Sequence, residues 1–210
     1  MIEYELHPQI SFTELTVDLS FDLPDLAEDA AVHYLRRAAI QMCRSGDLMR
    51  RRAKIKTQDC VKNYLLEPVD EVDLVAILSV RNLNSCFSEE TRRLTTEPVR
   101  LPCGAYSWFS SPNEIHFSQS GPLDVYQVNF SVAPVRDACQ VDVDFADRYY
   151  ELMLVGARAL AYGLGDKPWS SPARAREFQA QFEMGIRAAK AEMLMGRQRG
   201  RLRTQWGRVL

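Results

Sequence analysis

The hydrophobic period of this chain changes twice, and that alternation restricts the folds open to it more than any other feature. From Pro24 to Ser45, "PDLAEDAAVHYLRRAAIQMCRS" sets Leu26, Ala30, Tyr34, Ala38 and Met42 at steps of four, with His33 beside Tyr34, which is one face of a helix. Pro24 suits a first helical turn, acids follow it, and Arg44 with Gly46 closes the other end. Between residues 55 and 132 the helical period disappears. "EVDLVAILSVRN" alternates Val72, Leu74, Ala76, Leu78 and Val80, and "DVYQVNFSV" separates Tyr126, Val128, Phe130 and Val132 from Gln127, Asn129 and Ser131. "IKTQDCVKNYLL" and "NEIHFS" lie between them, divided by the turn-forming "EPVDE", "EPVRLPCG", "SSPNE" and "SGPLD". Strands spaced in this way predict an antiparallel sheet inserted between helices.

The helical period returns at Phe145. "FADRYYELMLVGARALAYGLG" turns Phe145, Tyr149, Leu152, Val155, Ala159 and Leu160 inward, widened by Met153 and Leu154, as in the central helix of a bundle. Gly156, Ala157 and Ala161 are small enough to let a neighbour approach closely. After the connection "GDKPWSSP", Ser171 stands as N-cap before Pro172, and Ala175, Phe178, Phe182, Ile186, Ala189 and Met193 recur at three and four. Glu183 and Arg187 form an i,i+4 pair on the outer face, and Gly196 stops the helix.

The expected fold class is therefore α+β: a bundle of three to four helices, an inserted antiparallel β subdomain and an extended C-terminal arm. Residues 1–23 form an N-terminal extended segment, 24–54 and 140–196 the bundle, 55–139 the β insertion and 197–210 the arm. Tyr34, Ala38, Phe145, Tyr149, Leu152, Phe178, Phe182 and Ile186 make up the expected bundle core.

Charge is distributed unevenly although the formal net charge of the 210 residues is only −2. Residues 1–30 hold eight acids and no Lys or Arg. "MRRRAKIK", Met49 to Lys56, holds five basic residues, and the last fifteen residues hold five arginines, one tryptophan and no acid. Such asymmetry fits nucleic-acid contact or complementary protein surfaces, and for "MRRRAKIK" a merely solvated face fits equally well. The last segment is different, because Trp206 gains nothing from solvent.

Several function classes lack the residues they need. The longest apolar run, "LMLVGARALAYGLG", carries Arg158 and falls short of the ~18–20 residues of a membrane span. The start has neither a basic n-region nor an apolar h-region, so the chain is expected to be made and kept in a cytoplasm. Cys43, Cys60, Cys86, Cys103 and Cys139 lie 17 to 36 residues apart without any C-x₂-C pair, which predicts buried thiols and neither a disulfide framework nor a zinc site. His7, His33 and His116 are far apart and read as a disordered end, a helix flank and a strand position. No carboxylate or thiol stands at ligand spacing around them. "GLGDKPW" follows a helix and matches neither phosphate-binding pattern, and no G-x-S-x-G or H-E-x-x-H occurs. No catalytic residue, metal or cofactor is expected.

The order of elements, and above all the block from "ALAYGLGDKPWSSP" to "MGR", resembles the head-to-tail adaptor proteins of short-tailed bacteriophages, of the tail tubular protein A type. The resemblance extends over nearly the whole chain, and Lys167, Pro168, Trp169, Phe178, Phe182, Gly185, Ile186, Ala189, Lys190 and Gly196 carry its most specific part. It implies a non-enzymatic virion protein of the neck, assembled in the host cytoplasm as a homo-oligomeric ring of about twelve copies. The ring would sit beneath the portal protein, hold the tail (nozzle) protein through its β insertion, and let double-stranded DNA pass without specific binding. It also implies that the arm reaches the portal, so Arg197, Arg199, Arg201, Arg203, Trp206, Arg208 and Leu210 are the expected portal-binding residues. An arm of ~14 residues spans up to ~45 Å, its arginines offer forked donors to carboxylates, and Trp206 and Leu210 suit apolar pockets. The alternative is a nucleic-acid-binding accessory protein, because Arg-rich ends also bind phosphates.

Overall fold

A computed structural model describes residues 2–58, 61, 63–83, 91–92, 108–111, 113–117, 125–165 and 167–195. In chain order the elements are β1 (Ile2–Tyr4), β2 (Gln9–Ser11), α1 (Val17–Asp22), α2 (Glu28–Gly46), β3 (Arg50–Lys56), β4 (Asn63–Leu65), β5 (Val72–Asn82), β6 (Thr91–Arg92), β7 (Trp108–Ser111), β8 (Glu114–Phe117), β9 (Val125–Pro134), β10 (Gln140–Asp142), α3 (Val143–Tyr162) and α4 (Pro172–Met195). The class is α+β with antiparallel sheets, as the changes of period imply. Five strands pair in the order β1-β3-β9-β5-β6, while β4-β8-β7 and β10-β2 form two smaller sheets. No helix among the described residues is long and apolar enough to cross a membrane.

β9 is central because it satisfies both requirements of a half-buried strand. Tyr126, Val128, Phe130 and Val132 are buried, and Gln127 and Asn129 alternate with them on the other face. β5 departs from the expected alternation. Its register against β9 shifts between Leu74 and Ala76 and again between Ile77 and Ser79, so Ile77, Leu78, Ser79 and Val80 are all buried in succession. Each bulge adds a residue on one strand and resets which face the following side chains meet.

The three long helices meet at Gly156. A Cβ there would stand 2.7 Å from the Phe182 ring of α4 and 2.9 Å from Ala38 Cβ of α2, so the expected close approach is realised by this glycine. Gly185 plays the reciprocal part on α4, where a Cβ would collide with Leu152. Tyr34, Ala38, Phe145, Tyr149, Phe182 and Ile186 are buried as expected. Leu152 and Phe178 are only half-buried. Phe178 lies near the free-standing start of α4, where its ring stacks on Tyr162 at 5.6 Å and Arg158 covers its face.

Other boundaries differ from expectation. α2 begins at Glu28 and not at Pro24, and its left-handed closing residue is Asp47 (φ 55°), with Gly46 still helical. Residues 1–23 are not simply extended. They contain two strands, a 3-10 turn at Phe12–Leu15 and α1, and they bury Phe12, Leu15, Leu19 and Leu23 in the same core as the helices. The expected border between residues 54 and 55 falls inside β3. Ser171 does cap α4: its Oγ accepts from Arg174 N–H at 3.4 Å and its carbonyl from Ala175 N–H at 2.9 Å. The Glu183–Arg187 pair forms at 3.7 Å on exposed side chains.

Of the five cysteines, Cys43 is buried and Cys139 is exposed, the latter against expectation. Cys60, Cys86 and Cys103 lie outside the described residues. Cys139 falls in the β9–β10 turn, where little of the chain covers it, and burial pushes the Cys43 thiol well above its ordinary range. Thiolate fraction and access both control alkylation. Brief treatment of the native chain with iodoacetamide is therefore expected to label Cys139 and spare Cys43, as read by peptide mass mapping. Equal labelling of the two would contradict the packing of α2.

Candidate interaction surfaces

"MRRRAKIK" is a strand, and its period of two divides its cations. Arg51, Ala53 and Ile55 turn inward, while Arg50, Arg52, Lys54 and Lys56 face the other way. Arg51, 3% exposed, is held by a built ion network. Its Nη2 donates to Asp142 Oδ1 at 2.6 Å and its Nε to Asp142 Oδ2 at 3.2 Å, a forked pair on a carboxylate that is itself buried. Its Nη1 donates to Asp70 Oδ2 at 2.9 Å and to the Val69 carbonyl at 2.8 Å. Gln9 Nε2 adds a further donor to Asp142 at 2.6 Å. This network ties β3 to the start of α3, to the β4–β5 connection and to β2, so the middle arginine of the run is structural. The alternation Arg51-Ala53-Ile55 is the sequence signal for it.

The outward set forms a surface. Register places Glu3, Lys54, Gln127 and Arg81 in one cross-strand row. Arg52, Asn129 and Ser79 stand in the next. Amides run across it: Gln127 Nε2 donates to Asn129 Oδ1 at 3.3 Å, and Asn129 Nδ2 to Ser79 Oγ at 2.8 Å. Lys56 is paired with Glu3 at 2.6 Å, and this hydrogen bond and the charges of Lys56 and Lys54 hold the Glu3 carboxyl below its ordinary range. Arg52, Lys54 and Arg81 are exposed and have no ion-pair partner among the described residues.

Where α4 ends beside this face, it walls a cleft of about 1030 Å³. The sheet contributes Arg50, Arg52, Gln127 and Asn129, α3 contributes Asp144 and Arg148, and α4 contributes Glu192, Met193 and Met195. Arg148 is neutralised by Glu192 at 2.9 Å, and Arg50 Nε donates to the Asp47 carbonyl. His7 is not in a disordered end. It lines the cleft, and its buried Nε2 has no hydrogen-bond partner. On the far side of α4, Lys190 Nζ donates to the Ser45 carbonyl at 3.0 Å and lies 3.6 Å from Asp47, clasping the end of α2.

The other histidines are occupied locally. His116 on β8 lies 2.5 Å from Asn63 Oδ1 and 3.2 Å from Glu114 Oε2. Partial burial, together with Arg37 and Arg36, lowers the His33 pKa, so the ring is neutral at pH 7. Among the described residues no cluster of three or more His, Cys, Asp or Glu side chains could hold a metal ion.

α4 is unusual in how little it buries. Of its 24 residues only Phe182, Ile186 and Ala189 are fully covered, while Met184, Leu194 and Met195 are 58%, 55% and 67% exposed. Arg197, Arg199, Arg201, Arg203, Trp206, Arg208 and Leu210, the expected portal-binding arm, lie outside the described residues. The cleft and the amide-crossed basic face escape sequence reading because their residues come from distant strands and helices. No protein-family model matches this chain, and no curated protein matches it.

Proposed function

We propose that this chain is a non-enzymatic structural adaptor of a short-tailed bacteriophage. About twelve copies would form a ring beneath the portal protein in the neck of the virion, carry the tail protein, and surround the path of double-stranded DNA. The observation that carries the reading is α4 together with the C-terminal segment attached to it. A helix of 24 residues with only three buried side chains and three exposed apolar ones is suited to packing between subunits, where those side chains are covered. It leads into fifteen residues bearing five arginines and Trp206, a composition suited to a groove with acids and an apolar pocket. The resemblance of "ALAYGLGDKPWSSP" and the helix after it to phage adaptors supplies the biological setting.

Deleting residues 197–210 tests this. The truncated chain is expected to melt at the temperature of the full chain and to lose attachment to the portal ring, as seen by co-sedimentation and negative-stain microscopy. Normal attachment of the truncated chain would refute the arm's role.

A second reading has its own observation. Arg52, Lys54 and Arg81 beside the amides of Gln127 and Asn129 suit a phosphate backbone, as a nucleic-acid-binding accessory protein requires. Binding to a DNA duplex that weakens steeply between low and moderate salt would favour it.

A further inference from the structure

α1 exposes an apolar pair that its own chain leaves uncovered. Val17 and Phe21, one helical turn apart, are 55% and 79% exposed, whereas Leu19 between them is fully buried. The helix is fixed in place from behind: Tyr150 Oη lies 2.9 Å from Asp18 Oδ2, and Arg158 pairs with Asp22. Phe21 is thus a rigidly mounted aromatic, the kind of side chain that anchors interfaces. Its surroundings are acidic. Glu14, Asp25 and Glu28 are exposed around it, and no Lys or Arg occurs in residues 1–30.

The cleft beside the basic sheet face has the opposite character. Arg52 and Lys54 are exposed on its sheet side, and Met193 and Met195 supply an adaptable apolar wall opposite. Its volume of about 1030 Å³ exceeds what one aromatic side chain and its flanking turn require. The α1 surface and the cleft share no residue, so one copy can present both at once.

The geometry points to the cleft as the docking site for α1 of a second copy of this chain, with Phe21 against Met193 and Met195 and the surrounding acids facing Arg52 and Lys54. Because two different surfaces meet, the contact is head-to-tail and repeats from copy to copy, closing into a ring or continuing as a filament. It deepens the adaptor reading by naming the faces through which its ring would close. It is nevertheless testable without the portal. A single anchor flanked by screened charges is weak, which suits a ring completed on a template.

The experiment uses the full chain and two surface variants, Phe21→Ser and Arg52→Glu, at positions whose exposure spares the fold. Small-angle scattering at low salt, up to about 1 mM protein where weak contacts are populated, reads the mean mass. The wild type is expected to grow beyond a monomer with concentration and to revert when salt is added. Each variant alone raises the dissociation constant by about tenfold or more and stays monomeric. An equimolar mixture recovers dimers and nothing larger, because only Arg52→Glu supplies an intact Phe21 and only Phe21→Ser an intact cleft. A monomeric wild type, a variant that associates normally, or a mixture that stays monomeric would each overturn the proposal. DNA binding lost in Arg52→Glu while self-association persists would do the same and assign the face to nucleic acid. Failure here beside normal portal attachment removes this contact alone, whereas success beside a dispensable arm removes only the arm's role.

Discussion

Replacing Arg51 by Ala is expected to destabilise the chain by about 3–5 kcal/mol, because it strands a buried charge. Asp142, 3% exposed, would lose both forked donors and keep only Gln9 Nε2. Asp70, whose carboxylate is 40% exposed, can turn to water, so the penalty belongs chiefly to Asp142. The sign reverses when the pair is removed together. Arg51→Met with Asp142→Leu takes away both charges at once, and its cost should be well below the sum of the single replacements. Arg51→Lys is not a mild change either, since an ammonium cannot reproduce the fork or reach Asp142, Asp70 and the Val69 carbonyl together. Urea unfolding midpoints of these variants, the two single replacements of the pair included, check this. An unchanged midpoint in Arg51→Ala, or strict additivity in the double variant, would refute the network as a buried unit.

That network also marks where sequence reading stops. Periodicity is a local signal, and it serves wherever one element buries one face. It places α3, α4 and β9 and identifies Tyr34, Ala38, Phe182 and Ile186 as core. It fails where neighbours decide. Phe12, Leu15, Leu19 and Leu23 are spaced for burial, but they sit among acids in two short pieces of helix, too short to register as a period. Strict alternation gives Leu78 and Val80 the same face as Leu74, and two bulges that depend on β9 undo it. The cleft is beyond reach for a further reason. Arg52, Asn129, Arg148 and Met193 meet only after the sheet and the bundle have assembled, and no spacing along the chain announces it.

Phe182→Ala is expected to cost about 3–5 kcal/mol and to lower the melting temperature by about 6–20 °C. The ring is 1% exposed and lies where α4 crosses α3 at Gly156, with Ala38 of α2 on the far side, so its removal opens a cavity at the junction of all three long helices. Collapse is resisted because Leu152 already touches the backbone of Gly185 one turn further along the crossing. The glycine supplies the control. Gly156→Ala alone is expected to destabilise despite Ala's better helix propensity, since its Cβ would lie 2.7 Å from the Phe182 ring and something must move. With the ring gone, most of that conflict disappears, and the added methyl fills part of the cavity and regains helix propensity. The residual 2.9 Å approach to Ala38 limits the recovery. The double variant should therefore be more stable than the two single losses predict, with a coupling of about 0.5–3 kcal/mol in chemical denaturation. A melting temperature unmoved by Phe182→Ala, or losses that simply add, would mean that α4 does not cross α3 at this point. The bundle would then need a different helix pairing.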